Sequence, residues 1–237
     1  MPPLPELSLP EPSQPDLHVV GDPAVDVGDL LAEQARLGGS IVLTGGSAPG
    51  RAYERAAALE PDWGRVTLWW GDERCVPPDD DRSNYRLAKE TLLDRLLVQP
   101  GAVHRIRGEL EPRAAAAELA AALAGAELDL VLLGLGPDAH VASLFPGSPQ
   151  LAVEGRGATS GPAGLEPFVD RVTMTMDEIR AAKRIVFIVS GPTKADAVAR
   201  AFGGAIDPSA PASLIRLAPI SAEVFLDRAA ASKIGAR

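Results

Sequence analysis

The chain has 237 residues, 46% of them hydrophobic, and a formal net charge of −9. Such a length suits one large α/β domain or two small ones with a sizeable core, while the negative charge, with no concentrated basic patch, excludes polyanion binding to nucleic acid or anionic lipid. No apolar run reaches the roughly 18 uncharged residues of a spanning helix, and the start lacks the basic-then-apolar order of a secretory signal, so the chain reads as soluble and cytoplasmic.

The first stretch, MPPLPELSLPEPSQP (1–15), is dense in proline and poor in large apolar residues, the composition of an extended, mobile tail. Residues 16–237 read as a single domain, in which short apolar runs alternate with Ala/Leu-rich, charge-dotted stretches. That pattern predicts a mainly parallel sheet covered by helices.

A strand at LHVV (17–20) precedes VDVGDLLAEQARL (25–37), whose apolar residues fall at helical spacing. The next strand, SIVLT (40–44), exits into GGSAPG (45–50) and then the helical stretch RAYERAAALE (51–60). Adjacent Gly45 and Gly46 let the backbone approach a ligand, and amides at a helix start favour an anion. The segment is a phosphate cradle or a plain strand-to-helix turn. It fits neither G-x-G-x-x-G nor the P-loop, which counts against dinucleotides and triphosphates.

Strand VTLWWG (66–71) releases Asp72, Glu73 and Arg74 at the sheet rim, as a site or a solvated turn. Cys75 is the one cysteine, so an intramolecular disulfide and a multi-thiolate zinc site are excluded; it reads as a small core residue. Ser83 or Asn84 supplies an N-cap for the helix expected over NYRLAKETLLDRLL (84–97). VHRIRG, with His104, reads as a short strand or its edge, and RAAAAELAAALAGA (113–126) as a helix.

DLVLLGL (129–135) is a buried strand that breaks into GPDAHVASLFPGSP (136–149). Imidazole titrates near neutral pH, so His140 can take a proton from water and return it to a leaving oxygen, with Asp138 to orient it. The alternative is a histidine that satisfies a turn carbonyl. VEGRGATSGPAGLEPF (153–168) reads as a long surface loop, RVTMTM (171–176) as an antiparallel strand, and EVFLD (223–227) as another. Strand RIVFIVS (184–190) exits into GPTKADAVARAF, which puts Lys194 in a helix's first turn, where a cation opposes the dipole; it is a solvated lysine or one that serves a bound anion. Four successive strand exits thus offer a glycine loop, Asp-Glu-Arg, Asp-x-His and a lysine. Ligands of such folds sit beyond the carboxyl ends of the strands, so the convergence describes a metal-free pocket that grips a small anion beside an acid/base histidine.

The segments LTGGSAPG (43–50), WWGDERCVPPDDDRSNYR (69–86), DLVLLGLGPDAHVASLFPGSP (129–149) and IVSGPTKADAV (188–198) together resemble the 6-phosphogluconolactonase family. The resemblance implies a Rossmann-like three-layer α/β sandwich with helices on both faces. It further implies hydrolysis of 6-phospho-D-glucono-1,5-lactone to 6-phospho-D-gluconate in the oxidative pentose phosphate pathway, without metal or organic cofactor. The partner is then a small sugar phosphate, with no nucleic acid and no membrane, on a monomer or weak homodimer. His140 stands where the family places its general base, supported by Asp138. Arg74 and Lys194 serve the phosphate side with Ser47 and Arg171 nearby, and Gly45, Gly46, Asp72 and Asn84 complete the implied substrate-binding set.

Two departures stand out. Ala139 replaces the family's usual glycine between aspartate and histidine; if that position needs a positive φ, alanine costs roughly 1–2 kcal/mol there. Val141 replaces a more usual threonine. The related aminosugar-phosphate deaminases carry a glutamate where Phe145 aligns, which favours the lactonase over a deaminase/isomerase-like enzyme. A non-catalytic sugar-phosphate-binding protein, the third alternative, would have no need of the base.

Overall fold

A strand covered on both faces has no solvent side for polar residues, and the middle of this chain is built that way. The computed structural model describes residues 12–235. Its elements run β1 (Asp16–Val20), α1 (Pro23–Leu37), β2 (Gly39–Leu43), α2 (Ser47–Leu59), β3 (Val66–Trp70), β4 (Asp72–Arg74), α3 (Asn84–Thr91), β5 (Ala102–His104), α4 (Pro112–Leu123), β6 (Leu130–Leu133), β7 (Ala158–Gly161), β8 (Arg171–Met174), α5 (Met176–Arg180), β9 (Ile185–Val189), α6 (Ala195–Val198) and β10 (Glu223–Asp227). Every residue of β6 and β9 is buried.

Seven strands form one parallel sheet in the order β1-β10-β9-β6-β2-β3-β5, with helices around it. From β2 the chain builds outward through β3 to β5, then returns to the opposite side of β2 with β6 and continues to β9 and β10. The strand order therefore reverses between β2 and β6, and a ligand crevice opens beyond their carboxyl ends. A second, antiparallel sheet, β4-β8-β7, stands beside it.

Local chemistry explains the helix starts. Asp22 caps α1 by accepting from the Ala24 amide at 3.1 Å, with Pro23 in the first turn and Gly38 closing the other end at φ 85°. Helix α2 differs: its N-cap is Gly46 at φ 116°, and no side chain caps it. That end opens onto the crevice.

Several expectations change. EVFLD is parallel, paired on both sides with β1 and β9; its alternating burial comes from a sheet margin with one less-covered face. The stretch expected as a surface loop contains β7, paired with β8. The helix expected over 84–97 ends at Thr91 and is followed by a 3-10 turn, Leu93–Arg95. Of the expected tail, residues 1–11 lie outside the described residues, while Ser13 is tied down: its amide and hydroxyl donate to the Arg216 carbonyl at 2.8 and 3.1 Å.

The exit of β2 is fixed from below. The fully buried Tyr53 hydroxyl accepts from the Thr44 amide at 2.9 Å and donates to the Thr44 carbonyl at 2.7 Å. Removing it orphans both backbone groups. Tyr53→Phe is therefore expected to lower unfolding stability by about 1–3 kcal/mol, read as a lower urea midpoint at unchanged slope.

Candidate active site

Three charges leaving a buried strand would normally face water, yet Asp72 and Glu73 are buried, Glu73 to 2% exposure. The Glu73 carboxylate accepts four hydrogen bonds: from the amides of Arg74 and Asn84 at 2.7 Å each, the Tyr85 amide at 2.8 Å and the Ser83 hydroxyl at 2.9 Å. Two of these donors are orphan amides at the start of α3, which favour a negative charge. Burial pushes the Glu73 pKa above its ordinary value, and the four donors offset only part of that push. Glu73 thus fastens β4 to α3, a function its position in the sequence does not announce.

Fastening them aims the neighbouring residues. Asn84 Nδ2 donates to the Asp72 carbonyl at 2.9 Å and to Asp72 Oδ1 at 3.3 Å, and Ser143 Oγ donates to Asp72 Oδ2 at 2.5 Å. Gly45 is required here: a Cβ at that position would lie 1.9 Å from Asn84 Oδ1. The Asp72–Ser143 bond also joins β4 to the loop after β6.

In the second sheet Arg74 lies directly opposite Arg171. Arg74 donates to the Arg82 carbonyl and Arg171 to the Pro167 carbonyl at 2.9 Å. Arg74 Nε and Arg171 Nε and Nη1 remain buried without a protein partner. Burial, and then the Arg74 charge, holds the Arg171 pKa below its usual value. Two guanidiniums side by side, each with N–H groups that no protein acceptor takes, are chemically suited to an anion. Lys194, the N-cap of α6, makes no direct ion pair among the described residues; burial lowers its pKa, against the pull of the Asp138 charge.

The loop after β6 is a tight turn. The Ala139 amide donates to the Gly136 carbonyl and the Gly136 amide to the His140 carbonyl, both at 3.0 Å, and the Ala212 amide donates to the Ala139 carbonyl at 2.9 Å. Ala139 takes φ 67° and is fully buried, so the alanine occupies the left-handed region at the cost the sequence led us to expect. Asp138 Oδ1 accepts from the His140 amide at 3.2 Å and lies 2.6 Å from His140 Nδ1. Burial pushes the Asp138 pKa upward, but the side-chain bond to His140, the imidazole's charge and the backbone bonds together hold it below 3.8. An ionised Asp138 can only accept, so Nδ1 carries the proton and Nε2 is the basic nitrogen.

These groups meet around one cavity of about 600 Å³. Of the sequence candidates, Gly45, Gly46, Asp72, Arg74, Asn84, His140, Arg171 and Lys194 line it, and Asp138 stands behind His140. Ser47 does not line it; it is the exposed first residue of α2. Several contributors are not among the site candidates, although Phe145 is singled out from the sequence as the residue that stands in place of a deaminase glutamate. Ser143 anchors Asp72, and Phe145 packs on the imidazole with ring centroids 4.5 Å apart. Gly136 lies under the imidazole, where a Cβ would come within 2.0 Å of Nδ1. Leu165, Glu166 and Phe168 supply the wall beyond.

Residues 25–225 match the family model described as glucosamine-6-phosphate isomerases/6-phosphogluconolactonase. Among curated proteins, the 6-phosphogluconolactonase of Mycobacterium tuberculosis is 37% identical over 203 residues, covering 79% of this chain and 82% of its own. That of Streptomyces coelicolor is 36% identical over 223 residues, covering 86% and 85%. The solved 6-phosphogluconolactonase of Trypanosoma brucei superposes with a TM-score of 0.79 at 25% identity, over 94% of this chain and all of the other.

Two outcomes test this geometry. Gly136→Ala is expected to keep the circular dichroism of the fold but lose the downfield imidazole N–H proton resonance of the His140–Asp138 bond; a retained resonance would contradict the packing. Because Asp138's folded pKa lies below 3.8, its contribution to stability is present above that value and lost as pH falls through the folded one. Asp138→Asn is accordingly expected to flatten the acid limb of a stability profile below about pH 4.

Proposed function

The chain belongs to the glucosamine-6-phosphate isomerase/6-phosphogluconolactonase family, and from that premise we propose that it hydrolyses 6-phospho-D-glucono-1,5-lactone to 6-phospho-D-gluconate. The observation that carries the proposal is one cavity in which a His–Asp pair shares a wall with the half-buried Arg74 and the buried Arg171, whose Nε groups, with Arg171 Nη1, have no protein acceptor. That combination suits an uncharged acyl centre attached to a strongly anionic group.

In this reading Arg74, Arg171 and Lys194 hold the phosphate, the substrate's permanent charge. His140 Nε2 takes a proton from water, and the water oxygen bonds to the lactone carbonyl carbon. Negative charge moves onto the carbonyl oxygen, where the Gly45 and Gly46 amides at the uncapped start of α2 offer stabilisation. The bond from that carbon to the ring oxygen then breaks as the imidazolium returns its proton to the departing oxygen, and the new carboxylic acid ionises to solvent. Asp138 keeps Nδ1 protonated and stabilises the transient imidazolium.

The isomerase side of the family needs a further carboxylate working through the histidine. Here the buried Phe145 packs against that ring, which favours hydrolysis. A pure binding protein would gain nothing from the oriented His140–Asp138 pair.

Purified protein is expected to accelerate hydrolysis of freshly generated 6-phosphogluconolactone above its spontaneous rate, and His140→Ala to lower kcat/KM at least about 100-fold with the fold retained. Equal activity in the variant removes His140 from its role. Ammonia release from glucosamine 6-phosphate would favour the deaminase reading, and ligand binding without turnover would favour a sensor.

A further inference from the structure

The carboxyl end of β10 carries a carboxylate that this chemistry does not use. Leu226 of β10 lies opposite Val189 of β9, so the next residue, Asp227, stands beside the exit of β9 and reaches sideways to it. Asp227 Oδ2 accepts from the Ser190 hydroxyl at 2.6 Å and from the Gly191 amide at 2.8 Å, while Oδ1 accepts from the Ala230 amide at 2.7 Å. Burial pushes this carboxyl's pKa upward, but the Ser190 hydroxyl and the backbone amides of Ala230, Gly191 and Ala229 outweigh it and hold it below 3.8. The charge is held by hydrogen bonds.

What the clamp fixes is the route to the cavity. Gly191 takes φ 95°, and its carbonyl accepts from the Lys194 amide at 3.2 Å, closing the 3-10 turn Pro192–Lys194. One turn of backbone therefore separates the clamp from the lysine on the cavity wall. On its other oxygen, Asp227 fixes the start of the 3-10 turn Ala230–Lys233, and Lys233 pairs with Asp196 of α6 at 2.6 Å. Both the approach to Lys194 and the helix after it are thus referred to the same carboxylate. The acidic group that acts electrostatically on Lys194 is Asp138, so the influence of Asp227 runs through the backbone.

We propose that Asp227 is a positioning residue for substrate binding: its carboxylate clamps the peptide between Ser190 and Gly191, and that clamp aims Lys194 at the anionic end of the substrate. The proposal rests on the assignment of Lys194 to the phosphate made above.

The test is a double-mutant cycle in the full chain, with KM for the lactone, the inhibition constant of 6-phosphogluconate and kcat measured for each variant. Lys194→Ala is expected to raise KM and the inhibition constant at least about tenfold; no change there overturns the phosphate assignment itself, independently of Asp227. Asp227→Ala is expected to raise both constants about five- to tenfold with kcat within about twofold, and to add less than about twofold when Lys194 is already alanine. Asp227→Asn, which keeps one acceptor oxygen, is expected to recover most of the loss. Effects of Asp227→Ala that multiply with those of Lys194→Ala, or a fall confined to kcat or to thermal stability, overturn the proposal. Should Asp227→Ala fail to fold, Ser190→Ala removes one clamp bond and is judged by the same non-additivity.

Discussion

The site hangs on one buried carboxylate. Glu73 accepts three backbone amides and a hydroxyl, and that bond set turns a three-residue charged segment into an internal strand joined to a helix start. From this joint, Asp72 and Arg74 face the cavity, and Arg74's strand partner brings Arg171 with it. Asp72 then takes Ser143, which lies three residues beyond His140, so the sheet that carries the two arginines and the loop that carries His140 share a fixed reference. The arrangement costs the ionisation of a carboxyl away from water, offset by donors α3 would otherwise leave unsatisfied.

Much of the architecture was legible because burial leaves a plain mark. Continuous apolar runs such as LVLL and IVFIV have one comfortable setting, a covered parallel strand, and the residues after each run stand at the crevice by topology alone. What stayed hidden has no such mark. Strand β4 is Asp-Glu-Arg, held by side-chain bonds to backbone amides that no periodicity displays, and β7 is the small, polar ATSG. Strand β10 alternates in burial and so imitates a half-exposed antiparallel strand. Gly136 and Ser143 were invisible as site residues because their work depends on contacts across the turn and between sheets.

Ala139 is instructive because the sequence posed the right question about it. The turn keeps φ 67° with alanine in place, when a small shift of the loop would have relieved a penalty of roughly 1–2 kcal/mol. Three backbone hydrogen bonds, one arriving from Ala212 in a distant segment, over-determine the conformation. Releasing the alanine would break them and carry the imidazole away from Asp138. Strain that persists under such constraint is typical of a working position.

Charge shows the same division between local and global. The chain carries a net −9, which repels anions at long range, yet it places Arg74, Arg171 and Lys194 on the wall of one cavity. In the proposed reaction a phosphate would meet all three in a recess, where each charge-assisted bond is stronger than it would be in open water. Under that proposal a sugar lacking the phosphate would leave three clustered cations without a counter-charge, so discrimination against it would be steep.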